Sequence, residues 1–156
     1  MNDSGLTSSD AFTATVLQLF RTNGQMIGWG DRFSSGFGLT SARWQMLGAL
    51  ALASRPLTAP QIATNMGVTR QGVQKQLNAL MAEGLVDKRA NPYHKRSPLY
   101  QLTRDGDALF QRIDQQWQQH ARQMRQEFSD QELAITANVL RRIHEFHPHS
   151  DKGSVP

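Results

Sequence analysis

Residues 57–103 read LTAPQIATNMGVTRQGVQKQLNALMAEGLVDKRANPYHKRSPLYQLT, and this stretch decides the fold. Thr58 is followed three residues later by Gln61, which fits a capping box and predicts that a short helix begins here. Gly67 suits the left-handed position that ends many helices, and Thr69 is a favourable cap for a second helix. Two helices joined by so short a turn must cross steeply, so the sequence predicts a helix-turn-helix.

The second of these helices has one apolar and one polar face. Val73, Leu77, Leu80 and Met81 fall within an arc of about 100°, so this side is expected to pack on the core. The other face has no acidic residue in its first three turns. Its amide and basic side chains suit base edges in the DNA major groove, whereas a plain solvent-exposed helix is the alternative. The predicted DNA contacts on this helix are Thr69, Arg70, Gln71, Gln74, Lys75 and Asn78.

A basic hairpin is predicted after this helix. Segments 85–89 and 98–102 alternate apolar and polar residues and are therefore interpreted as two strands. The connection 90–97 is longer than a tight turn needs and has Lys95 and Arg96 on its return. A basic loop of this length is expected to reach phosphates or the minor groove, so Lys95 and Arg96 join the predicted DNA contacts.

The positive charge of the chain is concentrated in the same region. Six basic and two acidic residues lie between Gly67 and Ser97, so this segment carries the +4 of the whole chain. The remaining 11 basic residues are balanced by 11 acidic residues. Such a concentration is typical of a phosphate-binding surface, and a solvated charged face is the alternative.

Two further helices are predicted before residue 57. Asp10 is expected to cap the first helix, which should run to about residue 33, where serines and glycines break the pattern. Thr40 is expected to cap the second helix. That helix should be buried on more than one side, because apolar residues recur along it: Trp44, Leu47, Leu50 and Leu52.

Two more helices are predicted after the hairpin. Thr103 should cap a long fifth helix, whose apolar residues recur at helical spacing through Phe128. Ser129 and Glu132 fit a second capping box, which opens a sixth helix. Because long apolar stripes on terminal helices need a partner, the first, fifth and sixth helices are expected to pair with a second copy of the chain. An internal three-helix cluster is the alternative.

Taken together, these elements resemble the MarR family of winged-helix transcriptional regulators over about residues 10–146. The resemblance is most specific in Leu57–Thr103. Gln61-Ile62-Ala63 and Met66-Gly67-Val68-Thr69-Arg70-Gln71 are similar to the family's third helix, turn and recognition-helix start. Gly84-Leu85-Val86, Arg89, Asn91-Pro92 and Lys95-Arg96-Ser97 resemble its wing, and Leu102-Thr103 with Gly106 resembles the exit into its fifth helix.

The wing contains one departure from the family pattern. The family usually has an Asp two residues before the wing arginine, where it orients basic side chains. Here Arg96 holds the arginine position and His94 holds the position of the Asp. A neutral imidazole cannot replace the carboxylate, and a protonated one repels the cations. Either the wing is ordered in another way, or it tightens only on DNA.

The resemblance implies a mainly α fold with a small β-hairpin wing (α+β), in which dimerisation helices flank a winged helix-turn-helix. The expected organisation is a disordered N-terminus (1–9), an N-terminal dimerisation helix (10–38), a DNA-binding domain (39–103), C-terminal dimerisation helices (104–147) and a disordered tail (148–156).

The function implied is that of a homodimeric, ligand-responsive repressor in the cytoplasm of a bacterium or archaeon. It would bind an inverted repeat in double-stranded DNA and be released by a small effector, such as an aromatic anion. Arg43 and Trp44 are the predicted ligand-binding residues, because a cation among aromatic rings suits a carboxylate. Packing in the core is the alternative for these residues and for the other candidates, which are Trp29, Phe33, Phe37 and Trp117.

Other functions have less support in the sequence. No nucleophile, paired-acid or phosphate-loop motif indicates an enzyme, and no cofactor is expected. The absence of cysteine excludes disulfides and a thiol switch. Two alternatives are a metal-responsive regulator using His144, His147 and His149, and a winged-helix module that binds proteins but not DNA. No apolar segment has the length of a signal peptide or a membrane span, in keeping with a cytoplasmic protein.

Overall fold

The computed structural model describes residues 8–148 and divides the chain into two compact units, 1–42 and 43–156. Residues 1–7 and 149–156, which make up most of the segments predicted to be disordered, lie outside the described residues. The elements described are α1 (Ser8–Ser35), α2 (Ser41–Leu52), β1 (Leu57–Thr58), α3 (Ala59–Met66), α4 (Arg70–Ala82), β2 (Val86–Arg89), β3 (Leu99–Leu102), α5 (Arg104–Arg125) and α6 (Asp130–Phe146).

The fold is mainly helical with a small antiparallel sheet, as the sequence predicts. Within residues 8–148, no helix is both long and apolar enough to cross a membrane.

The first unit consists mostly of α1. The prediction that Asp10 caps this helix is wrong, because the helix begins at Ser8 and places Asp10 inside its first turn. A carboxylate in the first turn is still favourable, since it interacts with the positive end of the helix dipole. At the other end, Gly38 adopts a left-handed conformation (φ 72°), and the Ser41 N–H that opens α2 donates to Asp31 Oδ1 over 2.7 Å.

The core of the second unit forms between α2, the helix-turn-helix, the sheet and α5. Its members have almost no solvent exposure: Met46, Leu47, Leu50, Leu57, Ile62, Val73, Leu77, Leu80, Val86, Tyr100 and Ile113. The burial predicted for Leu52 is wrong, since its side chain is 81% exposed. Leu52 is the last residue of α2, and the chain turns away immediately after it.

The sheet has three strands in the order β1-β3-β2, all antiparallel. The hairpin strands β2 and β3 were predicted, and each is one residue shorter than expected. The strand β1 was not predicted. It pairs Leu57 with Tyr100 and Thr58 with Leu99, so β3 becomes the central strand and Tyr100 is buried at its middle.

Thr103 joins α5 to the turn that follows α4. Its side chain donates to the carbonyl of Gly84 over 2.7 Å and accepts the Gly106 N–H over 3.0 Å, so it caps α5 as predicted. Its own N–H donates to the Leu85 carbonyl over 3.1 Å. Four backbone groups, those of Gly84, Leu85, Thr103 and Gly106, are therefore hydrogen-bonded at one point. These bonds fix where α5 leaves the wing.

The helix α6 begins at the predicted capping box of Ser129 and Glu132. The Ser129 backbone amide and then its hydroxyl hydrogen-bond the Glu132 carboxylate, and this lowers the pKa of Glu132. The apolar stripe predicted to continue through Phe128 in the preceding helix stops earlier, because α5 ends at Arg125. None of the 17 residues of α6 is buried within the chain.

Candidate nucleic-acid interface

The turn between α3 and α4 is built by the residues that predicted it. Thr58 and Gln61 form both hydrogen bonds of the capping box, and Gly67 adopts the left-handed conformation (φ 65°) that ends α3. Val68 N–H donates back to the Ala63 carbonyl over 3.1 Å. Thr69 then accepts the Gly72 N–H over 2.9 Å and begins α4. The capped turn places the N-terminus of α4 at the surface.

Burial divides α4 into the two predicted faces. Val73, Leu77 and Leu80 are completely buried, whereas Met81 is half-buried. At about 100° per residue, the opposite side of the helix carries Gln71, Lys75 and Asn78. The predicted contact residues that are exposed on α4 or at its cap are Thr69, Arg70, Gln71, Lys75 and Asn78.

Gln74 differs from the other predicted contacts because it is half-buried. It lies at the border of the two faces, where its Nε2 is 2.9 Å from Asn78 Oδ1 and 3.3 Å from the hydroxyl of Tyr100. The amide of Gln74 is thus already engaged by its own chain. Sequence reasoning missed Tyr100 here, since it lies 26 residues away on β3.

The wing loop is held by the side-chain amide of Asn91. Asn91 Nδ2 donates to the Ser97 carbonyl over 2.9 Å, and Asn91 Oδ1 accepts the Tyr93 N–H over 3.1 Å. Ser97 N–H also donates to the His94 carbonyl over 3.1 Å. The side chain of Asn91 therefore holds the backbone of the loop, and whether the basic side chains of the wing tighten only on DNA stays a prediction.

The wing cations are available to a ligand. Lys95 and Arg96 are exposed on the loop, and His94 beside them is exposed as well. Within residues 8–148, neither Lys95, Arg96 nor Lys75 has a carboxylate at ion-pair distance. Exposed cations of this kind can neutralise DNA phosphates and so release the counterions that are condensed on the DNA.

The residues predicted to bind an effector contact other side chains of the chain. Arg43 Nη1 lies 2.7 Å from Glu83 Oε1, so α2 is linked to the C-terminal end of α4. The ring of Trp44 packs edge-on against Trp117 with centroids 5.6 Å apart. Both Arg43 and Trp44 are half-buried. Packing explains these contacts without a ligand, and ligand binding by Arg43 and Trp44 stays a prediction.

The remaining aromatic candidates lie in the first unit. Trp29 and Phe33 are stacked with centroids 4.9 Å apart, and Phe37 follows at 6.5 Å from Phe33. These rings pack on one another along the end of α1.

The C-terminal histidines do not form a metal cluster in the described part of the chain. His147 Nδ1 is 2.8 Å from the Ile143 carbonyl, and the ring of His144 packs close to Gly67. No three metal-ligating side chains come together within residues 8–148. His149 lies outside the described residues, so metal binding stays a prediction.

A capped helix-turn-helix, an acid-free exposed helix face and a basic β-hairpin beside it define a winged-helix DNA-binding protein. Residues 37–97 match the model of the MarR family. The chain is 41% identical over 105 residues to an uncharacterized protein of Mycobacterium tuberculosis (strain H37Rv), a match that spans 67% of this chain and 72% of that protein. The chain belongs to the MarR family and is a DNA-binding transcription regulator, not an enzyme.

Solved structures are similar over most of the chain. A crystal structure of a MarR family transcription regulator is 26% identical with a TM-score of 0.66, and the match covers 87% of this chain and 94% of that one. A mutant MarR from E. coli complexed with operator DNA is 20% identical with a TM-score of 0.71, and that match covers 88% and 98% of the two chains. The second likeness concerns the fold alone.

Proposed function

We propose that this protein is a homodimeric repressor that reads an inverted-repeat operator in the cytoplasm of a bacterium or archaeon. The observation that carries the proposal is the exposed face of α4. Gln71, Lys75 and Asn78 lie opposite the buried residues that hold the helix on the core. Such a face presents hydrogen-bonding groups to base edges without the repulsion that a carboxylate would add.

The contacts divide into two kinds by chemistry. On α4, Gln71, Lys75 and Asn78 read bases, while Thr69 and Arg70 at the N-terminus hold the phosphates that flank the groove. On the wing, Lys95 and Arg96 bind the sugar–phosphate backbone or the minor groove. The complex of E. coli MarR with operator DNA supports the same use of this fold here.

The homodimer is supported by α6, whose apolar residues are mostly left exposed within the described part of the chain. Its apolar residues Leu133, Ile135, Leu140 and Phe146 are between 39% and 76% exposed. An amphipathic helix gains most of its stability from packing its apolar face, so a 17-residue helix with no buried residue needs another surface. A second copy supplies one with matching apolar stripes. On α1, the exposed apolar residues include Phe12, Leu17, Phe20, Met26 and Ile27.

Release by a small aromatic anion is proposed to involve Arg43 and Trp44. A ligand carboxylate would replace Glu83 as the partner of the Arg43 guanidinium while its ring packs near Trp44 and Trp117. Because the Arg43–Glu83 ion pair links α2 to the C-terminal end of α4, the exchange would remove this link between the two helices.

Footprinting on the DNA that flanks the protein's own gene tests the proposed function. A homodimer should protect two patches related by a two-fold axis and separated by about one helical turn. Protection of a single asymmetric patch, or of none at low salt, would argue against it.

A further inference from the structure

The hydroxyl of Tyr100, a residue of the sheet, contacts α4. Tyr100 sits at the middle of the central strand β3, paired with Leu57 on one side and Lys88 on the other. Its side chain is only 2% exposed. The hydroxyl lies 3.3 Å from Gln74 Nε2 and 3.5 Å from Gln74 Oε1. A buried tyrosine hydroxyl needs a partner, and here the partner is a residue of α4.

Gln74 also hydrogen-bonds a residue on the exposed face of α4. Its Nε2 donates to Asn78 Oδ1 over 2.9 Å, one turn further along the helix. Gln74 is half-buried and Asn78 is exposed. A continuous series of hydrogen bonds, Tyr100–Gln74–Asn78, therefore runs from the core of the wing sheet to the side of α4 that faces DNA in the proposed function.

Counting donors shows what each amide has left for DNA. The Gln74 Nε2 has two hydrogens, and both have acceptors within the chain, on Asn78 and Tyr100. Bidentate recognition of adenine by Gln74 would break these bonds. In Asn78 one lone pair of Oδ1 is already used by Gln74, whereas both hydrogens of Nδ2 are left for the DNA.

We propose that Tyr100 is a specificity-positioning residue: it holds the Gln74 amide so that Asn78 presents Nδ2 to an acceptor-bearing base edge. Purine N7, guanine O6 and thymine O4 are such acceptors in the major groove, and the amino groups of adenine and cytosine are not. Tyr100 itself does not touch the DNA. The inference rests on the proposed reading of DNA by α4 and adds which atom of Asn78 does the reading and what orients it.

The test is a selection from duplexes with a randomised core long enough for two half-sites. Wild-type protein, Tyr100→Phe, Gln74→Ala and Asn78→Ala are compared, each checked for folding by circular dichroism. Gln74→Ala breaks the series without substituting a residue of the sheet, which covers the case that Tyr100→Phe folds poorly. The matched control is Tyr93→Phe, which removes the hydroxyl of the other tyrosine, 91% exposed on the wing loop.

All three variants of the series should lose discrimination at the same base pair, by roughly 3- to 10-fold, which is the range for the net contribution of one hydrogen bond. The salt dependence of binding should stay unchanged, since no charge is altered. Tyr93→Phe should match the wild type. An equal loss of affinity for every sequence, or an unchanged preference in Tyr100→Phe and Gln74→Ala, would overturn the inference.

A second measurement separates this inference from the proposed function. In the DNA-free protein, the side-chain amide resonances of Gln74 and Asn78 should shift in Tyr100→Phe and remain in place in Tyr93→Phe. Unmoved resonances would overturn the inference even where wild-type protein selects a sequence. If the resonances shift but wild-type protein enriches no sequence, the series exists and the proposed reading of DNA is what fails, together with the role assigned to Tyr100.

Discussion

Gly106 in the first turn of α5 faces the carbonyl oxygen of Leu85 so closely that a Cβ on Gly106 would lie 2.0 Å from that oxygen. The obstacle is backbone, held by the hydrogen bond from the Thr103 N–H to the same carbonyl. The long helix and the wing therefore approach each other at a point where only glycine fits.

Gly106→Ala is accordingly expected to destabilise the fold by about 3 kcal/mol or more, beyond the usual cost of overpacking, because backbone must move. Urea denaturation followed by circular dichroism measures the change. The control is Gly36→Ala, where a Cβ meets nothing within 4 Å and the change should stay within about 0.5 kcal/mol. A Gly106→Ala variant as stable as the control would show that Gly106 does not lie so close to the carbonyl of Leu85.

Arg96→Ala should weaken DNA binding almost equally for all sequences. The side chain is exposed on the wing and is proposed to bind phosphate or the minor groove, so its loss should lower the salt slope by about one per copy. Fluorescence anisotropy at several salt concentrations measures the slope. Gln71→Ala is the matched comparison: it removes no charge, so it should change base preference and leave the slope unchanged. If Arg96→Ala changed the base preference and Gln71→Ala changed the salt slope, the roles assigned to α4 and the wing would be wrong.

Ile135→Glu should dissociate the dimer without unfolding the chain. Ile135 is 56% exposed on α6, so a carboxylate costs little in the monomer but is buried in the proposed interface. We expect the dimer dissociation constant, measured by analytical ultracentrifugation, to rise at least about tenfold. Asn138→Glu adds the same charge at an exposed polar position of α6 and should have a smaller effect. A monomeric wild-type protein would refute the pairing outright.

Glu83→Gln should tighten the binding of benzoate, used as a simple aromatic carboxylate. Arg43 is ion-paired with Glu83 over 2.7 Å, so a carboxylate ligand has to displace that partner. A partly exposed pair is worth about 1 kcal/mol or less, which corresponds to an increase in affinity of up to about 5-fold by calorimetry. Adding Arg43→Gln to the Glu83→Gln variant should abolish this gain in benzoate affinity. Equal benzoate affinity in wild type, Glu83→Gln and Arg43→Gln would remove Arg43 from the ligand site.

The parts of the fold that follow from local chemistry were predictable from the sequence. The capping boxes at Thr58 and Ser129 and the left-handed Gly67 depend on residues at most three positions apart, and all three are confirmed. The strand β1 depends on hydrogen bonds to β3, more than 40 residues away, and two residues alone have no pattern to read. The start of α1 at Ser8 was not predicted, because the carboxylate of Asp10 is favourable both at the N-cap and in the first turn.

The candidate site divides in the same way. Periodicity identified the exposed residues of α4 and the basic loop of the wing. It could not identify that Gln74 is held by Tyr100 or that Asn91 orders the wing, because both follow from which groups the folded chain brings together. His94 stands out in the sequence as a departure from the family pattern, whereas the hydrogen bonds that hold the loop backbone come from Asn91, three residues before it.

In the proposed function, α4 and the wing bind DNA together as parts of a dimer. The most direct measurement is the affinity for a duplex from the region flanking the protein's own gene, titrated from about 50 to about 200 mM salt beside a scrambled duplex. Two copies of Arg70, Lys95 and Arg96 supply six phosphate contacts, so affinity should fall about 1,000-fold over this range. The native duplex should bind more tightly than the scrambled one throughout. Equal binding of both duplexes, or no binding at the lowest salt, would contradict specific DNA binding by α4 and the wing. It would favour a winged-helix module that binds proteins.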